Sequence, residues 1–194
     1  MRARESTLSA VEDPAAGELD ASRPLGVYVH YPFCSVRCPY CDFAIDVRGD
    51  IPHARYADVV IGEIEARAPW FGAGEQPPVL RSLYFGGGTP GLWLPAEVAR
   101  VVETVRRCFQ AGPPSTLEIT VEANPGEVDE AHLGALHAAG VNRISLGVQA
   151  FDDGLLARLG RNHGAAAASA GFAAVRRAGF ANVTCDLMFG VPGQ

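Results

Sequence analysis

The chain has 194 residues, 48 % apolar and 20 % charged, with a formal net charge of −6. That length supports one domain with a sizeable core, and the acidic balance excludes a broad nucleic-acid-binding face. The apolar runs are short and broken by glycine, which excludes an integral membrane helix, and acidic residues such as Glu5, Glu12 and Glu18 exclude an export signal. The expected compartment is a reducing cytoplasm, where cysteines serve as metal ligands or packing residues rather than disulfides.

Residues 1–25 are polar, carry Pro14, Gly17 and Pro24 and lack an apolar period, so they read as a disordered leader before a domain spanning 26–194. A first strand is predicted over Gly26 to Tyr31, followed by a cysteine-bearing loop. Ala57, Val60, Ile61, Ile64 and Ala68 recur at helical spacing and predict a helix from about Arg55. A second strand, Leu80 to Phe85, runs into Gly86-Gly87-Gly88. A second helix opens at Pro95 with Val98, Val101, Val102, Val105 and Phe109 inward. The third strand, Leu117 to Val121, ends at Glu122, and the third helix follows Asp129 as N-cap and stops at Gly140. A fourth strand covers Arg143 to Val148, a helix lies between about Ala165 and Ala178, and a fifth strand covers Val183 to Phe189.

Strands alternating with helices in this way imply an α/β fold with a parallel sheet, either doubly wound or curled into a barrel. Both place chemistry at the carboxyl ends of the strands, where the unusual residues gather. Cys34, Cys38 and Cys41 are separated by gaps of three and two residues, whereas Cys108 and Cys185 stand alone and are expected to be small buried hydrophobes. Three thiolates on one loop can hold three irons of a [4Fe–4S] cubane and leave the fourth iron open. A zinc site completed by His30 or His53 is the alternative. The Phe85-Gly-Gly-Gly-Thr-Pro90 loop lets a ligand approach backbone groups closely, and it lacks the lysine of a phosphate-binding loop.

The cysteine spacing resembles the signature of the radical S-adenosylmethionine superfamily. Tyr28 through Cys34, Phe85 through Pro90, Glu122-Ala-Asn-Pro125, Asn142 through Gln149, Leu159-Gly-Arg161 and Asp186 through Gln194 are similar, in order, to the branch containing oxygen-independent coproporphyrinogen III oxidase and a haem chaperone. The resemblance implies a partial (β/α)6 barrel, of which this chain would carry about five strands without the further C-terminal domain. It implies a [4Fe–4S] cluster on Cys34, Cys38 and Cys41, with S-adenosylmethionine on the open iron. Tyr28 and Tyr40 would approach the cofactor, with Tyr40 near the adenine. Gly87, Gly88 and Thr89 would meet its methionine end through backbone groups, Glu122 a polar end, Gln149 and Asp186 the ribose, and Arg161 the carboxylate.

Within the branch, the oxidase pattern has a further cysteine where this chain has Phe43, and the Cys41-Asp42-Phe43 ending is similar to the chaperone. The expected partners are therefore haem, a haem-acceptor protein and an electron donor. The haem-binding segment is expected beyond Gln194.

Overall fold

Each main strand pairs in parallel with the one before it, and this order fixes the architecture. The computed structural model describes residues 24–71, 78–111 and 117–194; the leader expected over 1–25 lies outside these except for its last two residues. Leu25 is already the first residue of strand β1 (Leu25–Tyr31). Two-residue strands β2 (Phe33–Cys34) and β3 (Asp46–Val47) follow, then α1 (His53–Arg67), β4 (Val79–Gly87), α2 (Pro95–Cys108), β5 (Gln110–Ala111) and β6 (Glu118–Ala123). The chain continues through α3 (Glu130–Ala138), β7 (Arg143–Gln149), α4 (Asp153–Arg158), α5 (Ala165–Arg177) and β8 (Asn182–Leu187).

The sheet runs β1-β4-β6-β7-β8, with β5 beside the start of β4. A doubly wound sheet would reverse this order at some point, and here it never reverses. Right-handed crossovers taken always in one direction put the helices on one face, and such a sheet curls into a partial barrel.

The two faces differ as that architecture requires. Val29, Leu83, Phe85, Ile119, Val121, Ile144 and Leu146 form the buried helix-side face. Against it pack Val98, Val101, Val102 and Val105 of α2, Leu133 and Leu136 of α3, and Ala168 and Val175 of α5. Residues of the other parity face inward and are polar. Tyr84 donates to Glu122 at 2.7 Å, and Arg143 bridges Glu118 at 2.8 Å and Thr184 at 2.9 Å. The Ser145 hydroxyl lies 3.0 Å from both oxygens of Asp186.

Asp129 caps α3 as expected, accepting from the His132 amide at 2.8 Å. The six-residue α4, capped by Asp152, was not expected; it is too short for an apolar period to show. Cys108 and Cys185 are only partly buried and pack against the core. Among the described residues no helix is long and apolar enough to cross a membrane.

Beneath the cysteine loop lies an aromatic cluster. Fully buried Trp93 stacks on Tyr31 at 5.0 Å and meets Tyr56 edge-on at 5.4 Å, and its indole N–H donates to the His53 carbonyl at 3.2 Å. Tyr31 in turn meets the ring of Phe33, the residue before Cys34, at 5.2 Å. Trp93→Ala is expected to cost about 3–5 kcal/mol in urea denaturation, as large aromatic deletions in a core do. The exposed Trp70→Ala should cost far less; equal costs would show that the cluster does not anchor this end of the sheet.

Candidate functional site

The cysteine loop leaves β1 and is gripped on both sides. On one side β2 pairs with β3, and the Asp46 amide returns to the Pro32 carbonyl at 2.8 Å. On the other, the amides of Gly88 and Thr89 donate to the carbonyls of Tyr31 and Phe33 at 2.7 and 2.9 Å. A Cβ on Gly88 would stand 2.7 Å from the Phe33 carbonyl oxygen and 2.9 Å from the Cys34 sulfur. Gly160, at φ +64, performs the same service behind Pro39, where a Cβ would lie 2.6 Å from the proline ring. The glycine run was expected to make room for a ligand. At Gly88 the room is taken by the cysteine loop itself.

Cys34, Cys38 and Cys41 are free thiols that line one cleft at the carboxyl ends of the strands. The same cleft is lined by Tyr40, Phe43, Gly87, Gly88, Thr89, Glu122, Gln149, Arg161 and Asp186, so nearly all the residues singled out in the sequence are brought together. Tyr28 is the exception. It sits three residues before the end of β1, roughly 10 Å down the strand, stacked on Tyr84 with its hydroxyl 3.3 Å from His30 Nδ1.

Arg161 is not the surface ion pair that an arginine after a helix most often forms. Its Nη1 lies 3.4 Å from the Cys38 sulfur and 3.3 Å from the Tyr40 hydroxyl, while Nη2 donates to the Gly147 carbonyl at 3.0 Å and to Asn124 Oδ1. Its Nε is buried without a partner. Glu122 is held by the Tyr84 hydroxyl and, at 3.1 Å, by the Gly87 amide. Gln149 adopts φ 65 at the point where the β7–β8 register shifts, the one non-glycine residue with positive φ among those described. Such a conformation costs of order 1–3 kcal/mol and clusters at ligand sites. Ser145, Gly147, Asn162 and Asn124 also line the cleft. Only Asn124 stood out in the sequence; Ser145 could have been found as a polar residue inside an otherwise apolar strand.

The donor set fits an iron–sulfur cluster better than zinc. Neither His30 nor His53 lines the cleft, and His30 is committed, its Nε2 lying 2.8 Å from the Ala44 carbonyl. Among the described residues no three Cys, His, Asp or Glu side chains, the three cysteines included, are grouped closely enough to hold a single metal ion. Three thiols spaced round a cleft suit ligands that each take a different iron.

Burial pushes the Cys34 thiol above its ordinary pKa, opposed by the Thr89 hydroxyl 3.6 Å away. In the metal-free chain the more exposed Cys41 should therefore alkylate before Cys34 at neutral pH. Gly88→Ala should displace Cys34 and reverse the order, read by peptide mass spectrometry. An unchanged order would show that Gly88 does not set the position of Cys34.

A family profile described as the Radical SAM superfamily matches residues 28–194. The haem chaperone HemW of Haemophilus influenzae is 37 % identical over 172 residues, covering 88 % of this chain and 44 % of that protein. The mitochondrial radical S-adenosyl methionine domain-containing protein 1 of Bos taurus is 37 % identical over 183 residues, covering 94 % of this chain and 39 % of that one. Among solved structures, coproporphyrinogen III oxidase (HemN) from Escherichia coli superposes with a TM-score of 0.79 at 34 % identity, over 92 % of this chain and 40 % of that one. The chain thus spans less than half the length of these relatives. With the profile running from the first strand through the cysteine loop to Gln194, the chain belongs to the radical SAM superfamily.

Proposed function

We propose that the chain holds a [4Fe–4S] cluster on Cys34, Cys38 and Cys41, binds S-adenosylmethionine beside it, and belongs to a haem chaperone that delivers haem to an acceptor protein. When bound, such a cluster supplies one-electron reduction and an open iron for the amino-acid end of the cofactor. Arg161, beside Cys38, offers a fork of donors to the cofactor carboxylate. Tyr40 would flank the adenine, and Gln149 and Asp186 would accept from the ribose. Because the Gly87, Gly88 and Thr89 amides are committed within the protein, and the Thr89 carbonyl accepts from the Leu92 amide at 2.9 Å, that loop would meet the cofactor through the Gly87 and Gly88 carbonyls. Glu122 would act partly by holding Gly87.

Phe43 carries the choice of chaperone over oxidase. It is 65 % exposed on the wall of the cleft, an apolar ring at the position where the oxidase pattern offers a cysteine. The HemW relatives support the same reading. The similarity to HemN favours the alternative, oxidative decarboxylation of coproporphyrinogen III with an electron donor reducing the cluster. That reaction needs its substrate held in near contact with the reactive centre.

Two experiments test the proposal. Anaerobic reconstitution should give a brown protein with about four irons per chain, lost in Cys34→Ala, Cys38→Ala or Cys41→Ala and kept in Cys108→Ala and Cys185→Ala. Loss in Cys185→Ala as complete as in Cys38→Ala would refute the three-cysteine assignment. A form of the protein matching the relatives in length should bind haem stoichiometrically and leave coproporphyrinogen III unconverted under reducing, anaerobic conditions. Formation of protoporphyrinogen would reinstate the oxidase.

A further inference from the structure

Glu127 is assigned no part in the scheme above, yet three loops meet at its carboxylate and a fourth is reached through Asn124. Ser35, on the cysteine loop, donates to Oε1, and Asn162, after α4, donates to the same oxygen at 3.1 Å. Asn124, after β6, donates to Oε2 at 2.8 Å. Asn124 Nδ2 also reaches Thr89 Oγ1 at 3.1 Å, and Thr89, on the glycine loop, donates its hydroxyl to the Cys34 sulfur at 3.6 Å. These contacts settle which way the Asn124 amide is turned. Its nitrogen faces Glu127 and Thr89, so its oxygen faces Arg161, whose Nη1 reaches Cys38 and Tyr40. A carboxylate has no donor of its own and accepts from all three neighbours at once.

We infer that Glu127 is a positioning residue for the cysteine loop: its carboxylate orients Asn124, and through Asn124 it seats Arg161 against Cys38 and Thr89 against Cys34, while Ser35 ties the loop directly. The inference rests on the proposed cluster for its purpose but not for its test. A glutamine here has the same shape and the wrong polarity. Turned with its nitrogen toward Asn124 it meets a donor; turned the other way it is accommodated only if the Ser35 hydroxyl and the Asn162 amide both reverse to accept, and it then holds Asn124 with a neutral oxygen in place of a charged one. Exchanging the two groups, Asn124→Asp with Glu127→Gln, restores the match. The amide now at position 127 would donate to the carboxylate now at position 124 and accept from Ser35 and Asn162. That carboxylate would in turn accept from Arg161. The Thr89 hydroxyl alone would be diverted, from Cys34 to the relocated carboxylate.

The first readout is alkylation of each cysteine in the metal-free chain, resolved by peptide mass spectrometry. In Glu127→Gln, Cys34 and Cys38 should label on the order of tenfold faster, the equivalent of one charged hydrogen bond, with Cys108, Cys185 and the melting temperature unchanged. The exchanged pair should return Cys38 to the wild-type rate and leave Cys34 fast. Ser35→Ala, a change at an exposed position, gives an independent arm in which Cys34 labels faster and Cys38 does not. In reconstituted protein, the S-adenosylmethionine concentration needed to perturb the electron paramagnetic resonance spectrum should rise in Glu127→Gln and stay raised in the exchanged pair, where the carboxylate at position 124 pairs directly with Arg161.

Wild-type labelling rates at both cysteines in Glu127→Gln would overturn the inference, whatever the cluster does. A rise at all five cysteines together with a lower melting temperature would overturn it too, because Glu127 would then be stabilising the fold at large. Selective labelling in a wild-type chain that takes up no cluster would support the positioning of the loop and refute the cluster instead.

Discussion

The amides of Gly88 and Thr89 carry the pairing of β1 with β4 past the ends of both strands, onto the carbonyls of Tyr31 and Phe33. At Gly88 there is no room for a Cβ, which would stand 2.7 Å from the Phe33 carbonyl oxygen, and the space beside it is filled by Cys34. The position of the first thiol is thereby tied to the register of the sheet. A slip of one residue in β1 would turn Tyr31 and Phe33 out of the aromatic cluster and Cys34 away from the glycine loop at once. The cleft inherits its geometry from this pairing, since the later strands align on β4 through β6.

A parallel sheet covered by helices on both faces is apolar on both. This one is apolar only where the helices pack, and that asymmetry follows from a strand order that never reverses. The inner face satisfies its polar groups across strands, through Tyr84 to Glu122, Arg143 to Glu118 and Thr184, and Ser145 with Asp186. These bonds use side chains projecting from regular strands, so the inner face is cross-braced from strand to strand. The rim of the cleft, made of the cysteine loop and Phe43, is built from irregular backbone instead.

Much of this was legible because the signals were local. The helical periods of α1 and α2, the cap at Asp129, the cysteine spacing and the glycine run each declare themselves within a few residues. The barrel was legible only through the motif resemblance and not in the pattern of elements, because doubly wound and barrel sheets share one alternation of strands and helices and differ only in which strands adjoin. The sequence showed only part of what the glycine run does, for a related reason. What a missing side chain makes room for depends on a neighbour distant in sequence, here Cys34. Tyr28 shared a motif with the cysteines, but it lies lower on β1, against Tyr84 and His30, and does not itself line the cleft. Glu127 gave no signal at all, since a glutamate in a turn after a strand reads as a solvated surface residue until its three donors are seen.

The charges of the cleft are kept apart by neutral groups. Arg161 touches a thiol, a phenol, an amide oxygen and a carbonyl, and no carboxylate among the described residues. Glu122 is held by a phenol and an amide, Asp186 by a hydroxyl, and Glu127 by a hydroxyl and two amides. Asn124 stands between the cation and the Glu127 carboxylate, donating to one and accepting from the other. A direct ion pair would neutralise both charges and leave little field in the cleft. Neutral spacers fix each group in place without cancelling it, so its charge stays available to whatever enters. A cleft with a cation on one wall and carboxylates on the others favours a ligand bearing both signs, and it disfavours a simple anion or cation, which would meet repulsion from one side. A zwitterionic amino-acid end would satisfy that requirement, with its carboxylate toward Arg161 and its ammonium toward the carboxylates, as the proposed cofactor requires.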